Sequence, residues 1–203
     1  MTLTIALPKG RIADETLAFF KKIHGESFAF ENRKLILEKA GFRFLLVRSQ
    51  DVPTYVTRGA AEIGICGKDA LLEQNAPVTE LLDLKIGRCK AVLAMKKGER
   101  LDLSKTRVRV ATKMVNITKR FFAQKAMAVE IIKLYGSIEL APLVGLADAI
   151  VDIVETGKTM EENGLEAIET IFESSARLFA NRDSFIERKA DILALRSAIA
   201  QAI

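Results

Sequence analysis

Hydrophobic and polar residues along this chain follow two patterns, one typical of strands and one typical of amphipathic helices. The two patterns take turns along the sequence, which predicts strands followed by helices. Residues 3–7 are apolar enough for a buried strand. Over residues 12–22 the apolar positions return at the spacing of one helical face. Strand and helix patterns continue to alternate as far as the C-terminus. We therefore expect an α/β fold with mostly parallel sheets.

The same patterns, together with turn residues, predict the remaining elements. A short helix over 52–57 follows Asp51, a residue type that caps helix N-termini, and has Pro53 in its first turn. Further strands are predicted at 28–30, 34–37, 42–48, 62–66, 89–95, 107–112, 129–134 and 149–154. Further helices are predicted at 68–74, 117–125 and 182–202, with an extended segment at 167–179.

The alternation restarts after Leu84, which predicts two lobes, each with its own sheet. We expect the C-terminal segment to return to the first lobe. The predicted first lobe is 1–87 plus 172–203, and the predicted second lobe is 88–171.

One segment, DAIVDIVETGKTM at 148–160, indicates chemistry most directly. A buried strand ends there in a small polar loop, and a helix begins at once. Such a loop offers free backbone N–H groups and the positive end of a helix dipole, which together bind phosphate. Hydroxyl side chains add donors, and glycine lets the backbone approach an anion closely. The loop residues are Glu155, Thr156, Gly157, Lys158 and Thr159.

Two carboxylates beside this loop, Asp148 and Asp152, need a different explanation because they repel phosphate. Ionised carboxylates accept hydrogen bonds from sugar hydroxyls, so the pair indicates a phosphorylated ribose. Gly157-Lys158-Thr159 matches the end of a P-loop, but Asp152 occupies the position of that motif's first glycine. An ordinary strand–turn–helix connection remains the alternative for this segment alone.

Composition narrows the classes of function. Only 6% of the residues are aromatic, without aromatic and basic interleaving, so the net charge of +5 favours small polyanionic substrates over nucleic acid. Cys66 and Cys89 are isolated, and His24 is the one histidine, which argues against a protein metal site and against a Ser-His-Asp triad. Without a signal peptide or an apolar run near the ~18–20 residues of a membrane span, we expect a cytoplasmic protein and no membrane association.

Several blocks of the sequence occur in the order of a known family. They are ALPKGRI (6–12), RKLIL (33–37), RSQDVPTYVTRGAAEIGICGKDALLE (48–73), CKAVLA (89–94), RVATK (109–113) and GSIELAPLVGLADAIVDIVETGKTMEENGL (136–165). In these blocks the chain resembles the ATP phosphoribosyltransferases, which open histidine biosynthesis. The resemblance covers most of the chain.

The resemblance implies an α/β fold with two lobes like a type II periplasmic binding protein, and an active site in the cleft between them. It also implies the reaction: adenine N1 of ATP displaces pyrophosphate from 5-phosphoribosyl 1-pyrophosphate (PRPP), giving N1-(5-phosphoribosyl)-ATP. Adenine N1 carries a lone pair, so the reaction needs no strong base. Mg²⁺ is expected to travel with the pyrophosphate, without protein ligands.

Site residues follow from the matching motifs. Arg11 and Arg33 match the family's active-site arginines, and a planar guanidinium holds phosphate oxygens bidentately. Lys9 is a weaker candidate for the same anions. The resemblance assigns the 5-phosphate to the loop at 155–159, whose Lys158 side chain we expect to face solvent. It assigns the ribose hydroxyls to Asp152 with Glu139 or Asp148. Candidate ATP contacts, which could equally be caps and packing residues, are Asp51, Tyr55 and Asp69.

The length of 203 residues is similar to the short form of the family, which lacks the regulatory domain. The resemblance then implies a catalytic homodimer that joins a regulatory subunit similar to histidyl-tRNA synthetase in a hetero-octamer.

Two alternative functions stay open. A two-lobed ligand-binding module has the same architecture, although this chain lacks the signal peptide of a receptor and the helix-turn-helix of a regulator. A type I phosphoribosyltransferase is the other, although Asp152 is followed by Ile153 where that class has two adjacent acidic residues.

Overall fold

The computed structural model describes residues 2–101 and 107–203, and the chain divides into two compact units. The first unit contains Met1–Gly87 and Ser175–Ile203, and the second contains Arg88–Ser174. The chain therefore leaves the first unit once and returns to it once.

Strands and helices alternate in both units. The strands are β1 Leu3–Pro8, β2 Ile36–Lys39, β3 Phe42–Val47, β4 Ile63–Gly67, β5 Val78–Asp83, β6 Cys89–Lys96, β7 Val108–Thr112, β8 Val129–Lys133, β9 Ala149–Val154, β10 Leu165–Ser174 and β11 Ala176–Asn181. The helices are α1 Arg11–His24, α2 Val52–Thr57, α3 Lys68–Gln74, α4 Val115–Gln124, α5 Leu140–Leu143, α6 Lys158–Glu162, α7 Arg182–Glu187 and α8 Lys189–Ala202.

The first unit is a six-stranded sheet in the order β2-β3-β1-β4-β11-β5 with a hydrophobic core on each face. Successive residues of β1 point to opposite faces, as the pleat of a strand requires. Ile5 and Leu7 join a core that includes Phe20 of α1. Ala6 joins the core on the other face, which includes Phe179 of β11 and residues of α2 and α3.

The second unit is a five-stranded sheet in the order β10-β6-β9-β7-β8. Ile150 of β9 and Val92 of β6 lie in a core with Ala141 of α5 and Met160 of α6. These two short helices therefore cover the face of the sheet on which β9 buries Ile150.

The prediction of mostly parallel sheets was wrong. Within residues 2–101 and 107–203, five strand pairs are antiparallel and four are parallel. One cause is the hairpin between β2 and β3, whose turn residues Ala40 and Gly41 both have positive φ, as tight antiparallel hairpins require. The other antiparallel pairs are those of β10 and β11 with the strands beside them, and that of β6 with β9.

Three further predictions need correction, and two elements were missed. Residues 28–30 form no strand; the Phe28 ring instead packs 5.7 Å from the ring of Phe20. The extended segment at 167–179 is two strands of different sheets, separated at Ser175. The terminal helix breaks at Arg188, whose guanidinium binds both Glu62 and Asp191. Strand β5 and helix α5 were not predicted.

The helices were also compared with the length and apolar character of a membrane span. In the part of the chain that the structure describes, no helix meets both requirements.

Candidate active site

The polar loop after β9 is shorter than its sequence predicts, because α6 begins at Lys158, a residue that was expected to belong to the loop. Gly157 occupies the N-cap position of α6 with φ of +82°, a left-handed conformation that suits glycine. Lys158 and Thr159 are the first residues of the helix, so their N–H groups have no acceptor within it. The hydroxyl of Thr156 lies 3.5 Å from the N–H of Lys158. The loop therefore presents a turn of backbone donors at a helix start.

A cavity of about 310 Å³ lies against this loop. Its lining includes all five loop residues, together with Ile153, Val154 and Met160. Glu139, at the N-cap position of α5, completes the lining, so the fold brings a carboxylate to the loop from a separate segment. This places phosphate donors and a potential acceptor for sugar hydroxyls at one cavity.

A second cavity, of about 470 Å³, borders the same segment. It shares Val154, Gly157 and Met160 with the first cavity, and Lys97 and Glu166 contribute charged side chains. The Oε1 atom of Glu166 accepts the N–H of Gly98 at 2.9 Å. Gly157 is thus the loop residue that borders both cavities.

Asp152 lies within β9 and is 8% exposed. Its Oδ1 atom accepts the N–H of Ile153 at 2.8 Å and lies 3.2 Å from Nζ of Lys113. Lys113 directly follows β7, the parallel neighbour of β9, so the pair forms at the carboxyl end of β7. A buried carboxylate therefore lies close to the loop with a cation beside it.

Asp148 is not brought to the loop. It precedes β9 whereas the loop follows that strand, a separation of roughly 20 Å for an extended segment of this length. Its Oδ2 atom accepts the backbone N–H of Arg109 at 2.8 Å and lies 3.5 Å from Nε of that residue. The position of Asp148 suits a structural link between β7 and the start of β9.

Lys9 and Arg11 follow β1 at its carboxyl end. The N–H of Lys9 donates to the carbonyl oxygen of Val47 at 2.8 Å, which fixes the turn. Arg11 begins α1, and its Nε atom lies 3.3 Å from Oε1 of Glu15 with half of the side chain exposed. Both basic side chains are accessible to an anion.

Arg33 lies in a turn that directly follows Asn32, a residue with φ of +49°. The side chain is exposed. The neighbouring Lys34 pairs with Glu31 at 2.7 Å, which holds the turn closed and lowers the pKa of Glu31 through that hydrogen bond. The turn thus leaves the guanidinium accessible.

The three candidate ATP residues belong to α2, to its N-cap position and to α3. Asp51 lies at the N-cap position of α2, but its side chain makes no capping hydrogen bond, so the predicted side-chain cap is wrong. Tyr55 is 39% exposed. The Asp69 carboxylate lies so close to Gly67 that a Cβ atom at residue 67 would collide with it. Burial, and secondly the charge of Asp69, raise the pKa of the Cys66 thiol.

Among residues 2–101 and 107–203, no group of three or more His, Cys, Asp or Glu side chains is arranged to hold a metal ion. Sequence reasoning missed Lys113 as part of the site. Its signal was available, because Lys113 ends the RVATK block at the carboxyl end of a predicted strand.

Comparison with known proteins was made for sequence and for structure. A sequence model of the HisG family, described as ATP phosphoribosyltransferase, matches residues 48–201. The chain belongs to the ATP phosphoribosyltransferase family. A relative from Wolinella succinogenes with that name is 62% identical over 194 residues, covering 96% of this chain and 94% of its own. Another from Campylobacter curvus is 59% identical over 201 residues, covering 99% and 98%.

Solved structures agree with this membership of the ATP phosphoribosyltransferase family. The ATP phosphoribosyl transferase (HisG:HisZ) complex from Thermotoga maritima contains a chain of 35% identity with a TM-score of 0.89, covering 99% of this chain and 98% of that one. The periplasmic aliphatic sulphonate binding protein SsuA from Escherichia coli, at 13% identity and a TM-score of 0.63, covers 99% and 72%. SsuA shares the fold alone, which confirms the predicted similarity to periplasmic binding proteins.

Proposed function

We propose that this chain transfers the phosphoribosyl group of PRPP to N1 of ATP, as the catalytic subunit for the first step of histidine biosynthesis. The N1 lone pair forms a bond to ribose C1 while the bond from C1 to the pyrophosphate oxygen breaks. The products are N1-(5-phosphoribosyl)-ATP and pyrophosphate. No proton has to be removed from N1, so the site needs charge stabilisation more than a general base.

The observation that carries the proposal is the cavity shared by the loop at 155–159 and Glu139. A ligand with both a phosphate and sugar hydroxyls satisfies both halves of this lining: backbone N–H groups and threonine hydroxyls as donors, and a carboxylate as acceptor. Phosphate alone would leave Glu139 as a repulsive neighbour. We infer that the loop binds the 5-phosphate and that Glu139 and Asp152 accept ribose hydroxyls.

We assign Arg11 and Arg33 to the pyrophosphate. As that group leaves, negative charge accumulates on its oxygens, and preorganised cations at such a point are commonly the largest single contribution to catalysis. Both guanidinium groups are accessible, and Arg11 can exchange Glu15 for phosphate oxygens. Lys9, beside Arg11 at the same strand end, adds a further positive charge. Asp51, Tyr55 and Asp69 remain proposed contacts of ATP.

Mg²⁺ would accompany PRPP in this reaction. Mg²⁺ keeps several waters and is commonly bound by one or two carboxylates together with substrate phosphates. We propose that PRPP carries the ion through its phosphate oxygens, without ligands from the protein. When bound, the ion would neutralise charge on the leaving pyrophosphate.

We also propose a regulatory partner. The related Thermotoga maritima structure is a HisG:HisZ complex, and this chain matches almost the full length of one of its chains. We propose that the chain forms a catalytic homodimer, which joins a subunit similar to histidyl-tRNA synthetase in a hetero-octamer. We further propose that this assembly is cytoplasmic and that the partner carries inhibition by histidine.

Product identity tests the proposal against other PRPP-dependent transferases. The chain, with the partner present, would be incubated with Mg²⁺, PRPP and either ATP or the free bases adenine, guanine and uracil. Mass spectrometry should find one phosphoribosyl group added to ATP, and no nucleotide formed from a free base. Nucleotide formation from a free base, with no adduct of ATP, would replace this assignment by a nucleobase phosphoribosyltransferase.

A further inference from the structure

Lys113 and Asp152 are brought together by the register of two parallel strands. Thr112 of β7 lies opposite Val151 of β9, so Lys113, which follows β7, lies beside Asp152 on the neighbouring strand. There Nζ of Lys113 lies 3.2 Å from Oδ1 of Asp152. The ion pair is thus a direct consequence of the sheet, close to the loop that follows β9.

The backbone that carries Lys113 is itself held in place by a buried hydroxyl. Thr112 donates its hydroxyl to the carbonyl oxygen of Val151 at 2.7 Å and accepts the N–H of Met114 at 2.9 Å. Thr112 is fully buried. The Thr112 side chain therefore binds to β9 and also links the two residues that flank Lys113.

The two oxygens of Asp152 differ in their surroundings. Oδ1 receives both the Ile153 N–H at 2.8 Å and the Lys113 ammonium. Within residues 2–101 and 107–203, the structure shows no such partner for Oδ2. A carboxylate bound through one oxygen by two donors has a fixed plane, and its second oxygen keeps its capacity to accept hydrogen bonds.

Stability alone gives little reason for this pair. The Asp152 side chain is 11% exposed and the Lys113 side chain 33% exposed, so both charges lose much of their hydration. Buried ion pairs often contribute no more to stability than apolar residues of similar volume. Their fixed geometry, in contrast, is what a ligand-binding carboxylate needs.

We propose that Lys113 is a positioning residue for ribose binding. It holds Asp152 through Oδ1, together with the Ile153 N–H, so that Oδ2 accepts a hydroxyl of the PRPP ribose. Lys113 acts on the substrate through Asp152 and makes no phosphate contact of its own. The inference rests on the proposed function, because it takes PRPP as the ligand of the loop.

The test is a double-mutant cycle read by calorimetric titration of the full-length chain with PRPP and Mg²⁺. Lys113→Met keeps the length of the side chain without its charge, and Asp152→Asn removes the carboxylate. Lys113→Met should weaken PRPP binding about tenfold in the wild-type background, and less than twofold in the Asp152→Asn background. Lys113→Arg, which keeps a donor, should recover most of the affinity.

Arg107→Met is the matched control, because Arg107 pairs with Glu130 at 3.0 Å at the opposite end of β7. It should leave PRPP binding within twofold of wild type. A tenfold loss from Lys113→Met that persists with Asp152→Asn would mean direct phosphate contact and would overturn the proposal. Wild-type affinity of Lys113→Met for PRPP would also overturn the proposal. Failure of the wild-type chain itself to bind PRPP would instead overturn the proposed function, and this inference with it.

Discussion

Arg109 and Asp148 are joined by two hydrogen bonds and by an ion pair between their side chains. The Asp148 N–H donates to the carbonyl oxygen of Arg109 at 2.8 Å, and Oδ2 of Asp148 accepts the N–H of Arg109 at the same distance. The Arg109 guanidinium adds a contact of 3.5 Å. Asp148 therefore links β7 to the start of β9, at the end of the strand away from the phosphate loop.

Asp148→Ala should lower the free energy of unfolding, because it leaves the partly buried Arg109 N–H without its charged acceptor. A lost hydrogen bond to a charged group costs about 1.5–3 kcal/mol. Urea unfolding measures this loss, and calorimetry should show PRPP affinity within twofold of wild type. Asp148→Asn, which keeps an acceptor oxygen, should cost less. Unchanged stability together with tenfold weaker PRPP binding would contradict this structural role and would support Asp148 as a contact of the ribose.

Arg33→Ala and Arg11→Ala should each lower kcat by roughly 10²–10³, the scale for removing one preorganised donor of charge stabilisation. Steady-state kinetics with the partner present measures the effect. Arg43→Ala is the control, since Arg43 pairs with Glu38 at 3.3 Å on the surface. A change in kcat below threefold for either arginine would remove that residue from the proposed catalytic pair.

Gly157→Val should weaken PRPP binding about tenfold through backbone strain. A Cβ at this position would meet only Val154 Cγ1 at 3.8 Å, an ordinary contact, so crowding against the rest of the protein is not the cause. The cause is φ of +82°, which costs an L-residue roughly 1–2 kcal/mol.

Calorimetric titration with PRPP measures that effect, and Gly157→Asn should lose less because asparagine tolerates left-handed backbone. Gly136→Val is the control, since no atom lies within 4 Å of its Cβ position and its φ is not positive. Equal affinities of wild type and Gly157→Val would refute the role of the loop conformation.

Asp83→Asn should destabilise the protein at neutral pH, and less so in acid. Burial by itself raises the pKa of Asp83, but hydrogen bonds from Lys85 and Ser175 and the charge of Arg177 outweigh it and lower the pKa. A lowered pKa means stabilisation that is present above the ordinary Asp pKa, about 3.9, and is lost as the pH falls below it.

Urea unfolding at pH 7 and at pH 3 tests this sign. The difference between wild type and Asp83→Asn should narrow in acid. Ser175→Ala removes one donor to Asp83 but no charge, and should cost less at pH 7. A difference that stays constant or widens from pH 7 to pH 3 would contradict the assigned pKa direction.

The sequence predicted what local patterns determine. Strand β9, the loop and the start of α6 follow from apolar residues that end at Glu155 and from Gly157. Pairing partners are not local: nothing near residue 175 indicates that β10 and β11 belong to different sheets. Phe28 has strand-like neighbours but packs its ring against Phe20 and Phe44.

The candidate site likewise contains residues that the local sequence predicts and residues that it does not. The loop residues could be predicted as a group because they are consecutive in the sequence. Glu139 reaches their cavity through α5, a helix too short for a periodic signal, so the family resemblance and not the pattern identified it. The RVATK block could have drawn attention to Lys113, but its pairing with Asp152 depends on the register between β7 and β9, which no local pattern contains.

The most direct test of the central claim is pyrophosphate release from PRPP, measured with and without ATP while the absorbance of the adduct is followed in parallel. The chain would be assayed in the presence of Mg²⁺ and of the regulatory partner. We predict that both signals appear only when ATP is present, and in equal amounts. If neither pyrophosphate nor the adduct is detected with ATP and the partner present, the result would contradict the proposed transfer reaction and favour a ligand-binding module.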